Sequence, residues 1–297
     1  MIEGFAERDI EVGDGLTIRA LVGGEGPPLL LLHGYPQTHA MWHLVAPALA
    51  RTHTVVATDL RGYGDSSKPA GDEAHTRYSK RAMADDQVAV MHALGFDRFA
   101  VVGHDRGARV AHRMCLDHPA RVSRAAVLDI VPTRHMFGTA DKAFGMTYYH
   151  WFFLAQPYDL PERLIGSDPE YYIRRKMAQW SGVSDVSEVF APDAFAEYLR
   201  CFTDPATIHA SCEDYRAAAT IDLEHDDVDV HKGRRIHCPL LVLWGAKGFI
   251  ARQYDPLEVW RQYADDVVGG VAVDSGHFLA EEAPEQTLAA LEKFLRA

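Results

Sequence analysis

The chain has 297 residues, 47% of them hydrophobic and 24% charged, which is ordinary globular usage and excludes a disordered chain, a collagen-like fibre and a disulfide-stapled miniprotein. Asp and Glu number 42 against 30 Lys and Arg, a net charge of -12, and a surface that acidic repels phosphate backbones and anionic lipid heads, so neither nucleic acid nor membrane is an expected partner. A small anionic substrate stays compatible with that charge if the site itself is positive.

The length suits one large α/β domain carrying a sizeable insertion. The N-terminal MIEGFAERDIEVGDG has charges where a signal peptide needs an apolar core, and no apolar run approaches the ~18 residues of a membrane span. Cys115, Cys201, Cys212 and Cys238 show no CxxC or metal-ligand spacing and read as free, buried thiols of a reducing compartment. A soluble, cytoplasmic protein is expected.

Short apolar runs recur along the chain and end in Gly, Asp or His: residues 28–34, 53–62, 98–105, 124–132, 239–247 and 269–277. Runs this short and this rich in Val and Leu predict strands buried on both faces. Helical stretches separate them. In residues 79–96, Met83, Val90, Met91 and Leu94 share one helical face and Gly95 marks the end. Strand–helix alternation predicts a mostly parallel sheet flanked by helices. It stops near Pro132 and resumes at Ile236. Residues 1–132 and 231–297 are therefore expected to form an α/β core. Residues 133–230, helical and rich in aromatics, are expected to form a cap over the sheet's functional edge.

The most informative stretch is Gly103-His104-Asp105-Arg106-Gly107, directly after a strand and before a helical pattern. Small residues at those spacings permit a sharp turn that exposes the central side chain. That side chain is Asp, not Ser. A carboxylate is a poor nucleophile toward amides, but it can displace a leaving group at saturated carbon and form an ester that water must then hydrolyse. His277, at the end of the last apolar run, is the candidate base. The WGxxD-like turn after the penultimate strand reads Trp244-Gly245-Ala246-Lys247-Gly248 and lacks its acid. Asp129, after the preceding strand, is the candidate orienting acid; Asp222, Asp226 and Asp227 are weaker, because no strand presents them. The oxyanion hole is expected from the backbone N–H groups of Tyr35 and Arg106.

Arg106 and Arg109 stand where the helix after the elbow begins, a place that disfavours cations. Three residues apart, they share a face. This violation of a local rule suggests that they bind an anion, and the planar guanidinium fork suits a carboxylate. Arg113, a further turn along, reads as surface or structural.

Together HGYPQ (33–37), DLRGYGDSSKP (59–69), GHDRGARVAHR (103–113), LDIVP (128–132), YYHWFFLAQP (148–157) and SGHF (275–278) resemble the fluoroacetate dehalogenases, haloacetate-hydrolysing members of the α/β-hydrolase fold. The resemblance spans nearly the whole chain. Haloalkane dehalogenases and epoxide hydrolases share GxDxG but usually place Trp after the Asp; Arg106 departs from them. The resemblance implies Asp105 as nucleophile, His277 as base, Asp129 as its acid, Arg106 and Arg109 as carboxylate clamp, and His150, Trp151 and Tyr215 as halide-binding donors. Trp180 could line the same cavity. It also implies a homodimer, and no metal or organic cofactor. The expected reaction converts a short 2-haloacid such as fluoroacetate to the hydroxyacid and halide through an aspartyl ester. The alternatives are an epoxide hydrolase, which would use Tyr148 and Tyr149 as acids, a haloalkane dehalogenase, and a non-catalytic small-ligand receptor.

Overall fold

The computed structural model describes residues 2–296. Eight strands form one sheet: β1 (Ala6–Gly13), β2 (Leu16–Gly23), β3 (Pro28–Leu32), β4 (Thr54–Thr58), β5 (Phe99–His104), β6 (Val122–Leu128), β7 (Leu240–Gly245) and β8 (Val267–Val273). Their spatial order is β1-β2-β4-β3-β5-β6-β7-β8. β1 and β2 pair antiparallel, β2 meets β4 antiparallel, and every later pairing is parallel.

The six expected apolar runs all contain strands. β5 is buried at every residue, and so is β3 after Pro28, as strands covered on both faces must be. Truncating one of these Leu or Val residues to Ala should cost about 2–5 kcal/mol. The hairpin β1–β2 was not expected. Its turn, Asp14-Gly15, has positive φ at both residues, the backbone that favours Asp-Gly in two-residue hairpins. β1 is an exposed edge strand whose Glu7, Arg8, Asp9 and Glu11 hide the alternation and also deter edge-to-edge pairing. The helix expected over 79–96 runs Lys80–Ala93 and buries Met83, Val90 and Met91. Gly95 follows with φ 87°.

From β3 the chain moves to β4 on one side and then crosses back to β5 on the other side of β3. Such a reversal opens a crevice at the carboxyl ends of the strands. Both the His33–Pro36 loop and Asp105 stand there. Between β6 and β7 the chain runs as helices from Thr133–Gly138 to Ile221–His231, called the cap below. Three of the four cysteines are buried as expected, whereas Cys238 is half-buried, its Sγ 3.9 Å from that of Cys115.

Candidate active site

Asp105 sits between β5 and the helix Arg106–Asp117 with φ 44° and ψ -113°, a sparsely populated backbone for a non-glycine residue. The turn closes only because its flanks are bare: a Cβ on Gly103 would lie 2.6 Å from the Cα of Ala108, and one on Gly107 2.6 Å from the carbonyl carbon of Leu32. The Tyr35 N–H donates to Asp105 Oδ2 at 3.0 Å, so one expected oxyanion donor already faces the nucleophile. The Arg106 N–H opens the helix at the same elbow. Burial opposes ionisation of Asp105, but His277, Arg106 and Arg109 outweigh it and hold its pKa below the usual carboxylate value.

His277 follows β8. Its Nδ1 lies 2.6 Å from Asp129 Oδ2, while Asp129 Oδ1 accepts the Gly245 N–H at 3.0 Å. With Nδ1–H donated to Asp129, Nε2 is left to receive a proton. A Cβ on Gly248 would lie 3.5 Å from Asp129 Oδ1. The acid missing from the β7 turn is thus replaced from β6 at nearly the same place. Burial lowers the His277 pKa, but the hydrogen bond and charge of Asp129, with Asp105, raise it above the usual imidazole value. The loop is fixed on three sides: Glu282 accepts from Gly276 N and Phe278 N at 2.6 and 2.8 Å, Trp180 O accepts from His277 N at 3.1 Å, and His104 Nε2 lies 2.7 Å from His277 O. The weaker acid candidates lie elsewhere. Asp222 accepts the Lys80 N–H, and Asp227 pairs with Arg134. Asp226, with Asp229, pairs with Arg113, which is buried and structural and not on the surface.

A tight cavity of about 10 Å³ is lined by Asp105, Tyr148, His150, Trp151, Trp180 and His277. Tyr148, Trp180 and His277 also border a wider cleft of about 180 Å³, which continues to Lys247, Phe249 and Arg252. Of the three expected halide donors, His150 and Trp151 line the small cavity. Tyr215 stands behind them, its ring centroid 5.5 Å from that of His150 and 6.0 Å from that of Trp151. Burial pushes the His150 pKa well below the usual value, with Lys176 and His277 adding to it, so the ring stays neutral. His150 Nδ1, Tyr215 Oη and Trp180 Nε1 are buried without a hydrogen-bond partner among the described residues.

The two arginines differ. Arg106 donates from Nε and Nη2 to Asp214 Oδ2 and Oδ1 at 2.9 and 2.6 Å and from Nη2 to Asp214 O at 2.9 Å, leaving Nη1 without a partner. Arg106 is thus ion-paired within the protein, to an acid that the sequence alone did not single out. Arg109 donates to Val131 O and Thr133 Oγ1 at 3.0 and 3.1 Å and lies over the Trp151 ring at 4.6 Å, but makes no ion pair among the described residues. Burial, with Arg106 nearby, lowers its pKa to about 10. A buried guanidinium with no acid calls for an anion. Its Nε is also unpartnered.

The profile of the α/β hydrolase fold family matches residues 27–284. A fluoroacetate dehalogenase of Burkholderia sp is 46% identical over 295 residues, covering 99% of this chain and 95% of that protein. A soluble epoxide hydrolase of Corynebacterium sp. (strain C12) is 33% identical over 282 residues, covering 95% and 94%. The crystal structure of an α/β hydrolase from Nostoc sp PCC 7120 superposes with a TM-score of 0.95 at 58% identity, over 99% of each chain. With its mostly parallel sheet, sharp strand-to-helix elbow and helical insertion, the chain belongs to the α/β hydrolase fold family.

Proposed function

We propose that the protein is a haloacetate dehalogenase that hydrolyses short 2-haloacids, with fluoroacetate as signature substrate. The observation that carries this reading is a nucleophilic Asp105 near a buried arginine, Arg109, that makes no ion pair among the described residues. The substrate carboxylate would take the free Arg109 Nε and Arg106 Nη1. Asp105 would then attack the carbon bearing the halogen from the side opposite the halide. The C–O bond forms as the carbon–halogen bond breaks, and the halide leaves toward His150, Trp151 and Tyr215. Fluoride is strongly hydrated, so leaving water requires replacement donors such as these. In the second step His277 takes a proton from water, the hydroxide attacks the ester carbonyl of Asp105, and the Tyr35 and Arg106 N–H groups hold the oxyanion. Collapse breaks the ester C–O bond, the departing alkoxide takes the proton back from the His277 imidazolium to give the hydroxyacid, and the Asp105 carboxyl releases its remaining proton to return to the carboxylate. The identity to the Burkholderia enzyme supports this reading.

An epoxide hydrolase would need phenols over the nucleophile. Tyr148 does line the cavity. Tyr149, however, is 40% exposed and lies outside the small cavity, beneath the Lys176 ammonium, 3.5 Å from its ring centroid, and an epoxide offers Arg109 no charge. The small cavity also favours a substrate of few atoms.

The core (1–132, 231–297) and cap (133–230) remain our division of the chain, although helix Ile221–His231 crosses the boundary at 230. A cytoplasmic homodimer is part of the same proposal. It is supported by apolar side chains exposed on the cap, among them Met146, Phe152, Tyr158, Leu160, Leu164 and Tyr171. No helix among the described residues is long and apolar enough to cross a membrane.

The test is fluoride release from purified enzyme given fluoroacetate, run beside styrene oxide. Fluoride without diol supports the reading; diol without fluoride overturns it.

A further inference from the structure

Asp214 lies on the cap helix Pro205–Ala219 and is fully buried. Besides Arg106, its carboxylate accepts the Tyr63 hydroxyl at 2.7 Å and the buried Lys80 ammonium. Lys80 also stands 3.7 Å from Asp222 Oδ2. Arg106 and Lys80 are thus matched against Asp214 and Asp222 inside the protein. Tyr215, the next residue after Asp214, stacks its ring on the Arg106 guanidinium at 4.2 Å.

An acid beside an anion-binding arginine weakens its attraction for an anion, so Asp214 is not there to help bind charge. Its geometry suggests another role. Arg106 directly follows Asp105. A guanidinium left free at that spot would fold onto the nucleophile and pair with it, and a carboxylate tied up in such a pair is a poorer nucleophile.

We propose that Asp214, backed by Lys80 and Tyr63, is a positioning residue for Arg106. It holds the guanidinium off Asp105, leaves only Nη1 for the substrate carboxylate, and cancels the Arg106 charge. Arg109 then supplies the net charge that selects a monoanion. Because Asp214 and Tyr215 are adjacent, the same contact sets the cap's halide donor in register with the core's carboxylate clamp. This rests on the haloacid reading.

The experiment compares wild type, Lys80→Met and the charge-balanced Asp214→Asn/Lys80→Met in the full chain. The readouts are kcat and KM for fluoroacetate, the inhibition constant of glycolate, and thermal midpoints. Lys80→Met alone removes one support of Asp214 and should raise KM in the same direction as the double variant, but by less. In the double variant, KM and the glycolate constant should rise together by roughly 10- to 100-fold, the worth of a charge-assisted hydrogen bond, and the rate of Asp105 alkylation should fall. A folded double variant with wild-type KM and alkylation rate overturns the proposal. If the double variant does not fold, Asp214→Glu keeps the charge but moves it by one methylene. It should raise KM in the same direction, and a wild-type KM there overturns the proposal equally. Wild-type enzyme that releases no fluoride would instead refute the functional reading.

Discussion

The two sides of the cavity are built differently. On the core side the reacting groups have protein partners. Asp105 accepts from Tyr35, Asp129 is held by Gly245 and His277, and the His277 loop is tied to Glu282, Trp180 and His104. On the cap side, His150 Nδ1, Trp180 Nε1 and Tyr215 Oη have none among the described residues. Buried polar atoms without partners cost stability, so a cluster of them around one cavity marks where a ligand belongs. The reacting groups of the core side are held in place, whereas the cap atoms, like Arg106 Nη1 and Arg109 Nε, are left open for a ligand, which in the proposed reaction is the halide.

Five substitutions test that contrast, from the largest expected effect to the smallest. Asp105→Ala should abolish dehalogenation, a loss on the order of 10⁴-fold or more as for other nucleophile deletions, read by fluoride release. Asp129→Asn should lower kcat by about 10³- to 10⁴-fold through the wrong imidazole tautomer. It should also move the pH profile. His277 must be neutral to take a proton, and its pKa is raised, so ester hydrolysis fails as pH falls through that raised value. Removing the Asp129 charge removes a main cause of the raise, and the acid limb should shift to lower pH. A limb that stays in place would separate Asp129 from the base. Arg109→Leu should cost about 10²-fold or more in kcat/KM for haloacetate, as the loss of a charged pairing predicts. Unchanged kinetics would remove the clamp.

Tyr215→Phe is the sharpest test of the cap side. Losing one donor to the developing halide should cost about 10- to 10²-fold in turnover, more for fluoride than for bromide. The ligand-free protein should be stabilised by about 1 kcal/mol, because a buried hydroxyl without a partner is gone. A lower thermal midpoint would mean that this hydroxyl is satisfied after all. Core-side substitutions such as His104→Phe should do the opposite and lower stability, since they break a bond already made.

The core side was legible in the sequence because its residues hang on strands. An apolar run ending in Asp105, Asp129 or His277 reveals both the element and the position of the side chain. His150, Trp151 and Tyr215 lie in a helical insertion whose aromatics look like any packed core, and only the resemblance singled them out. Asp214 was missed because its role depends on a contact between residues 108 positions apart. Nothing in the local sequence of CEDYRAAA separates it from a surface acid. The β1–β2 hairpin was missed for a different reason. Its Asp-Gly signal is plain, but the charged edge strand has no apolar run to draw attention to it.

The covalent route through Asp105 is tested most directly by a single turnover with enzyme in excess over fluoroacetate in water enriched in ¹⁸O. The account predicts that the new hydroxyl of glycolate carries ordinary oxygen taken from the Asp105 carboxylate, and that the solvent label appears on Asp105 itself. Glycolate labelled from solvent in that first turnover, with Asp105 unlabelled, would contradict it.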